Sequence, residues 1–214
     1  MRKILMGLIA LSFASEAFAE GQVFYRYGKN KLNEARSGQI FTDIAGANAA
    51  RKNDDDSSTT IGAGLNLGLM NCPLFPENMV LGEIYVDYSK FSDKEVPNAI
   101  KAVASHTTTG TTTITNDKIT VSELAVVIAP KYRFGGMDKF RPWIVPIGLA
   151  FMVNNPPSNT TSYLDVGYHM GAGAEYMIHE KLSLGADVRH TSGSGDPGLK
   201  MKYTSYAGYL GINF

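Results

Sequence analysis

Apolar side chains recur at every second position in eight stretches of the chain, with small, polar or charged residues between them. In the first stretch Val23, Tyr25 and Tyr27 oppose Gln22, Phe24 and Arg26, and in the second Ile61, Ala63, Leu65, Leu67 and Leu69 oppose Gly62, Gly64, Asn66 and Gly68. The third sets Ile84, Val86 and Tyr88 against Glu83, Tyr85 and Asp87; the fourth sets Leu124, Val126, Ile128, Pro130, Tyr132 and Phe134 against Glu123, Ala125, Val127, Ala129, Lys131 and Arg133. The fifth places Trp143, Val145, Ile147, Leu149 and Phe151 opposite Pro142, Ile144, Pro146, Gly148 and Ala150, its prolines pointing to irregular pairing. The sixth is the longest: Leu164, Val166, Tyr168, Met170, Ala172, Ala174, Tyr176 and Ile178 against Asp165, Gly167, His169, Gly171, Gly173 and Glu175. The seventh sets Leu182, Leu184, Ala186 and Val188 against Ser183, Gly185, Asp187 and Arg189; the eighth sets Tyr206, Leu210, Ile212 and Phe214 against Ser205, Tyr209 and Asn213. A period of two is the period of a β-strand with unlike faces.

Alternation alone fits either a soluble sandwich, apolar face inward, or a membrane barrel, apolar face outward. The connections decide. Long ones (28–60, 92–118, 154–162, 193–203) alternate with short ones (71–79, 135–140, 179–181), as in a transmembrane barrel with long external loops and short periplasmic turns. The sequence therefore predicts an all-β fold, an eight-stranded antiparallel up-and-down transmembrane barrel over residues 20–214. Tyr27, Tyr88, Tyr132, Phe134, Trp143 and Tyr176 fit aromatic girdles at the membrane interfaces.

That fold turns the charged face inward. Arg26, Lys131, Arg133 and Arg189 would share a lumen with Glu83, Asp87, Glu123, Asp165, Glu175 and Asp187. Eight strands enclose little more than their own side chains, so opposite charges there predict a plug, and passive transport ranks last among the functions considered.

Residues 1–19 carry Arg2 and Lys3, an apolar run from Ile4 to Phe13, and Ala17-Phe18-Ala19, the pattern of a secretory signal cut before Glu20. The run is too short to span a bilayer as a helix, and no later segment offers the roughly 20 apolar residues needed. Removing Arg2, Lys3 and Glu16 leaves a mature charge near minus one, which does not favour a nucleic-acid partner. The single cysteine, Cys72, excludes an intrachain disulfide and a multi-cysteine metal site. No cofactor is implied.

The segments Gly171-Ala-Gly-Ala-Glu-Tyr176, His179-Glu-Lys-Leu-Ser-Leu-Gly-Ala-Asp-Val-Arg189 and Gly211-Ile-Asn-Phe214 resemble the outer-membrane β-barrel superfamily typified by the OmpA transmembrane domain and OmpX. The resemblance implies residence in the Gram-negative outer membrane after Sec export, contact with lipid and lipopolysaccharide, and recognition of the terminal Phe214 by the barrel-assembly machinery with periplasmic chaperones. OmpA relatives often add a peptidoglycan-binding domain; nothing follows Phe214 here, so cell-wall anchoring is not expected.

Arg189-His190-Thr191-Ser192 also resembles the His-x-Ser of lipid A deacylases, barrels in which Ser is the nucleophile and His its base. Alternation carries His190 and Ser192 onto the lipid face at the outer end of the seventh strand. That family has Asn after the serine and a Glu on the last strand; here Gly193 follows, Thr204 or Lys202 falls where the acid should be, and Asp196 is the nearest carboxylate. Asn53-Asp54-Asp55-Asp56 lacks the ligand spacing of a calcium loop and reads as a solvated turn. Thr107–Thr113 reads as a β-ribbon beyond the membrane, and Asn159-Thr160-Thr161 as a formal glycosylation acceptor without meaning in a bacterial envelope. His106 and His169 lack companions for a metal site. Two readings stand: a non-enzymatic barrel serving envelope integrity, adhesion or recognition of an extracellular ligand through its loops, and an esterase using Ser192 and His190.

Overall fold

The computed structural model describes residues 20–33, 57–72, 77–91, 94–97, 116–119, 122–155, 163–194 and 201–214. The signal region and the segments holding Asn53–Asp56, His106, Thr107–Thr113, Asn159–Thr161 and Asp196 lie outside them.

Eight strands form a closed antiparallel barrel: β1 (Gly21–Leu32), β2 (Ser57–Asn71), β3 (Met79–Phe91), β6 (Ser122–Arg133), β7 (Phe140–Asn155), β8 (Tyr163–His179), β9 (Leu182–Gly193) and β10 (Lys202–Asn213). Each pairs with its sequence neighbour in the wall, and β1 closes the sheet on β10, from Gln22 opposite Asn213 to Leu32 opposite Tyr203. Closure leaves no free sheet edge, the condition for satisfying every backbone group inside lipid. Gly21 and Phe214 exchange both backbone hydrogen bonds at 2.9 Å, locking the two ends of the wall together. Between β3 and β6 the chain forms a separate two-stranded ribbon, β4 (Lys94–Pro97) against β5 (Asn116–Ile119).

Burial runs opposite to that of a soluble protein. Arg26, Glu83 and Arg189 are 2% exposed or less, whereas Ile61 is 61% and Leu164 68% exposed. The rows Tyr27, Ile61, Tyr88, Leu124 and Val153, opposite one another across successive strands, belong to an apolar outer band suited only to a lipid surroundings.

Three findings differ from the sequence reading. The first long connection is shorter than 28–60, because Gly28–Lys31 keep pairing with both neighbours, meeting Ser57–Thr60 on one side, and Leu32 still pairs with Tyr203; their polar composition marks strand that outruns the apolar band, not loop. Second, β7 changes phase. Its register with β8 shifts between Val145 and Gly148, so Pro146 and Ile147 both face outward while Gly148, Ala150 and Met152 face inward. Before the bulge, Trp143 and Val145 therefore point into the lumen, each 1% exposed, and Ile144 points out at 40%. Pro146 has no N–H for a ladder bond, and a bulge absorbs that lack by adding one residue to the strand. Third, Trp143 is thereby a lumen residue and not a girdle residue. Tyr27, Tyr88 and Tyr176 do project outward.

Candidate functional site

The lumen is filled from wall to wall. Alternation on β1 puts Gln22, Phe24 and Arg26 inside; on β2 the facing positions are Asn66, Gly64 and Gly62, and on β3 they are Glu83, Tyr85 and Asp87. The glycines of β2 make the packing possible. A Cβ on Gly64 would lie 2.4 Å from Phe24 and 2.5 Å from Tyr85, and one on Gly62 1.8 Å from Asp87 Oδ1. Side chains of β1 and β3 thus meet over the bare backbone of the strand between them.

Through the middle runs one chain of ion pairs. Asp87 pairs with Arg26, whose Nη2 donates to Asp187 at 2.7 Å; Arg189 donates to Asp187 through Nε at 3.1 Å and to both Glu83 oxygens at 2.5 and 3.2 Å; Lys131 donates to Glu83 at 3.0 Å. Three cations alternate with three carboxylates, so each charge removed from water meets opposite charge, the arrangement that makes burial tolerable. Aromatic faces surround it: Lys131 Nζ stands 3.9 Å from the centre of the Trp143 ring and the Arg189 guanidinium 4.5 Å from that of Tyr85. The Trp143 indole donates to Tyr209 Oη at 2.8 Å, and His169, wholly buried, sits with Nδ1 3.0 Å from Thr191 Oγ1 and its ring against Tyr85.

The remaining charged residues flank this plug. At the turn end Gln22 donates to Glu175 at 2.7 Å, while Arg133, only partly buried, pairs with Glu20 at the mouth of a cavity of about 250 Å³ that Lys131 and Glu175 also line. At the loop end Glu123 and Asp165 are buried at 1% and 6% exposure. Sequence reasoning on charge alone missed the aromatic and amide half of the assembly, Gln22, Phe24, Tyr85, Trp143, His169 and Tyr209. Strand parity was the signal that places most of them; for Trp143 the bulge hid it.

His190 and Ser192 share the outer face of β9, two positions apart, and no hydrogen bond joins them. His190, partly exposed, has Nδ1 at 3.2 Å from Thr204 Oγ1 and 3.3 Å from Asn33 Nδ2, and Tyr168 lies beside its ring. Ser192 occupies an outward register position between Tyr168 and Lys202, yet it is 1% exposed and its hydroxyl donates to the carbonyl of Gly193 at 3.5 Å. Ser192 thus keeps the outward register position read from the sequence, with its side chain little exposed. Among the described residues no group of three or more His, Cys, Asp or Glu is arranged to hold a metal ion.

A closed eight-stranded wall, apolar without and charged within, defines an integral outer-membrane β-barrel. The chain belongs to the outer membrane protein β-barrel domain family, whose model matches residues 5–214. Among solved structures it is similar to Neisserial surface protein A (NspA), at TM-score 0.52 and 9% identity, covering 91% of this chain and 96% of that one. It is also similar to OprG from Pseudomonas aeruginosa, at TM-score 0.51 and 15% identity with 91% and 96% covered, and to the outer membrane enzyme PagL, at 0.47 and 14% with 89% and 98% covered. No curated protein matches.

Proposed function

We propose that this barrel is a non-enzymatic outer-membrane protein, exported through the Sec pathway, that serves envelope integrity or surface recognition through the long connections at one end of the wall. The observation that carries this reading is the filled lumen: a continuous ion-pair chain wedged among Phe24, Tyr85, Trp143 and Tyr209 leaves no route for a solute and makes the barrel a rigid post for its loops. Orientation follows from the same asymmetry, with the turns at Cys72, Gly136 and Lys181 toward the periplasm. Phe214, sealing the seam against Gly21, would serve in assembly by the barrel machinery, and the outer band would contact lipid and lipopolysaccharide.

The test is mass spectrometry of lipid A from outer membranes carrying the wild-type chain, Ser192→Ala or neither, paired with binding of whole cells to extracellular surfaces before and after shortening of the long connections. Unchanged lipid A and loop-dependent binding are expected. Loss of an acyl chain that depends on Ser192 would overturn the reading in favour of an esterase.

A further inference from the structure

The wall sorts its charges by sign as well as by face. Among the described residues, the carboxylates of the eight wall strands, Glu83, Asp87, Glu123, Asp165, Glu175 and Asp187, are all buried on the inner face. The outer face carries lysine instead, and gathers it at the loop end of one sector: Lys29 and Lys31 on β1 and Lys90 on β3, all three exposed.

Registry brings these lysines together. Lys90 stands opposite Thr59 of β2, Thr59 opposite Lys29, and Lys29 opposite Tyr206 of β10, in one unbroken outward row. In the next row toward the loops, Lys31 stands between Ser57 and Thr204, and Lys202, opposite Ser192, continues the strip along β10. Strands lie about 4.8 Å apart and residues of one face about 6.8 Å apart along a strand, so the Cα atoms of Lys29, Lys31 and Lys90 fall within roughly 12 Å of one another. No Asp or Glu stands in these rows among the described residues. Like charges so placed repel one another until an anion joins them.

Depth narrows the choice of anion. The row next toward the middle of the wall is Tyr88, Ile61 and Tyr27, exposed on the same three strands. Outward tyrosines of this kind sit at the boundary between hydrocarbon and headgroups, which puts Lys29 and Lys90 one step of about 6.8 Å beyond it, at headgroup level. Exposed Thr59 and Tyr206 flank Lys29 with hydroxyls able to donate to phosphate oxygens.

We propose that Lys29, Lys31 and Lys90, arranged about Thr59, form a binding site for the phosphate groups of an outer-leaflet glycolipid, the lipid A of lipopolysaccharide. The proposal deepens the reading given above and rests on its orientation of the barrel, loop end outward. A phosphorylated lipid answers both halves of this sector at once: its head meets the lysines, and its acyl chains run down the apolar face past Tyr27, Ile61 and Tyr88. A soluble anion or an acidic protein matches only the charged half.

Native mass spectrometry of the folded full-length barrel in detergent tests this, and reads the site whichever way the barrel faces in a membrane. Lipid A with its phosphates, and the same lipid after dephosphorylation, are titrated into the wild type and three variants. The first is Lys29→Gln with Lys31→Gln and Lys90→Gln; the second replaces the same three lysines by Arg; the third, Lys139→Gln with Lys181→Gln, removes exposed charge from the turns at the other end. The wild type should take up phosphorylated lipid A saturably, less well at high salt, and about tenfold or more in preference to the dephosphorylated form. The glutamine variant should lose about tenfold or more in affinity, while the arginine and turn-end variants should bind as the wild type does; heat-modifiable gel mobility checks that each is folded. Equal uptake of dephosphorylated lipid, unchanged affinity in the glutamine variant, an equal loss in the turn-end variant, or displacement by an equal concentration of inorganic phosphate would each overturn the proposal. The same spectra keep the two readings apart: a bound phosphorylated lipid that has lost an acyl chain would overturn the non-enzymatic reading and still support the site.

Discussion

Arg26 and Asp87 lie in one cross-strand row of the lumen with Gly62 between them, and their side chains pair over that glycine. The pair is wholly shielded, at 0% and 4% side-chain exposure, so its loss cannot be offset by water.

Removing one partner leaves the other charge buried. Arg26→Met should destabilise the barrel by about 3–5 kcal/mol, whereas the double variant Arg26→Met with Asp87→Asn should recover part of that loss. Denaturant unfolding in detergent, run as a double-mutant cycle, measures both; additive losses would show that the two residues do not interact.

Trp143 is the chain's one tryptophan, and its place in the lumen has an optical consequence. Its emission should be blue-shifted and should resist quenching by brominated lipid acyl chains, which a girdle tryptophan would contact. Strong lipid quenching would return it to the outer wall. Trp143→Ala should cost about 3–5 kcal/mol, and Trp143→Phe about 1 kcal/mol for the lost hydrogen bond to Tyr209.

The plug should block conduction. In planar bilayers the wild-type barrel is expected to show no steady single-channel current, and Phe24→Ala combined with Tyr85→Ala, which empties the space over Gly64, should produce one. A wild-type current comparable to that of the variant would contradict a closed lumen.

Outward positions must tolerate lipid. Val86, in the middle of β3 and 41% exposed, should lose about 2–4 kcal/mol on replacement by Arg when the protein folds into vesicles. The same substitution at Lys90, near the loop end of that strand, should change little.

Cys72, partly buried in the turn between β2 and β3, is a natural topology marker. In intact cells a membrane-impermeant maleimide should leave it unlabelled until the outer membrane is opened. Ser194→Cys in a Cys72→Ser background should label at once, since Ser194 is exposed at the loop end of β9. The reverse pattern would invert the barrel.

Alternation of residue type by itself determined the strands of the barrel wall, their number and which face of most of them turns inward, because a pleated strand presents side chains with a period of two and a closed wall needs unlike faces. Opposite charges on one face also pointed to the plug. Only the tertiary structure decided who pairs with whom: Arg26 with Asp87 over Gly62, Arg189 and Lys131 on Glu83, strands far apart in the sequence meeting across the lumen. It alone placed Trp143 inside, since one bulge at Pro146 reverses the phase of the strand. Period is a local property of the chain. Registry, bulges and contact across a barrel depend on closure, which no local stretch of sequence contains.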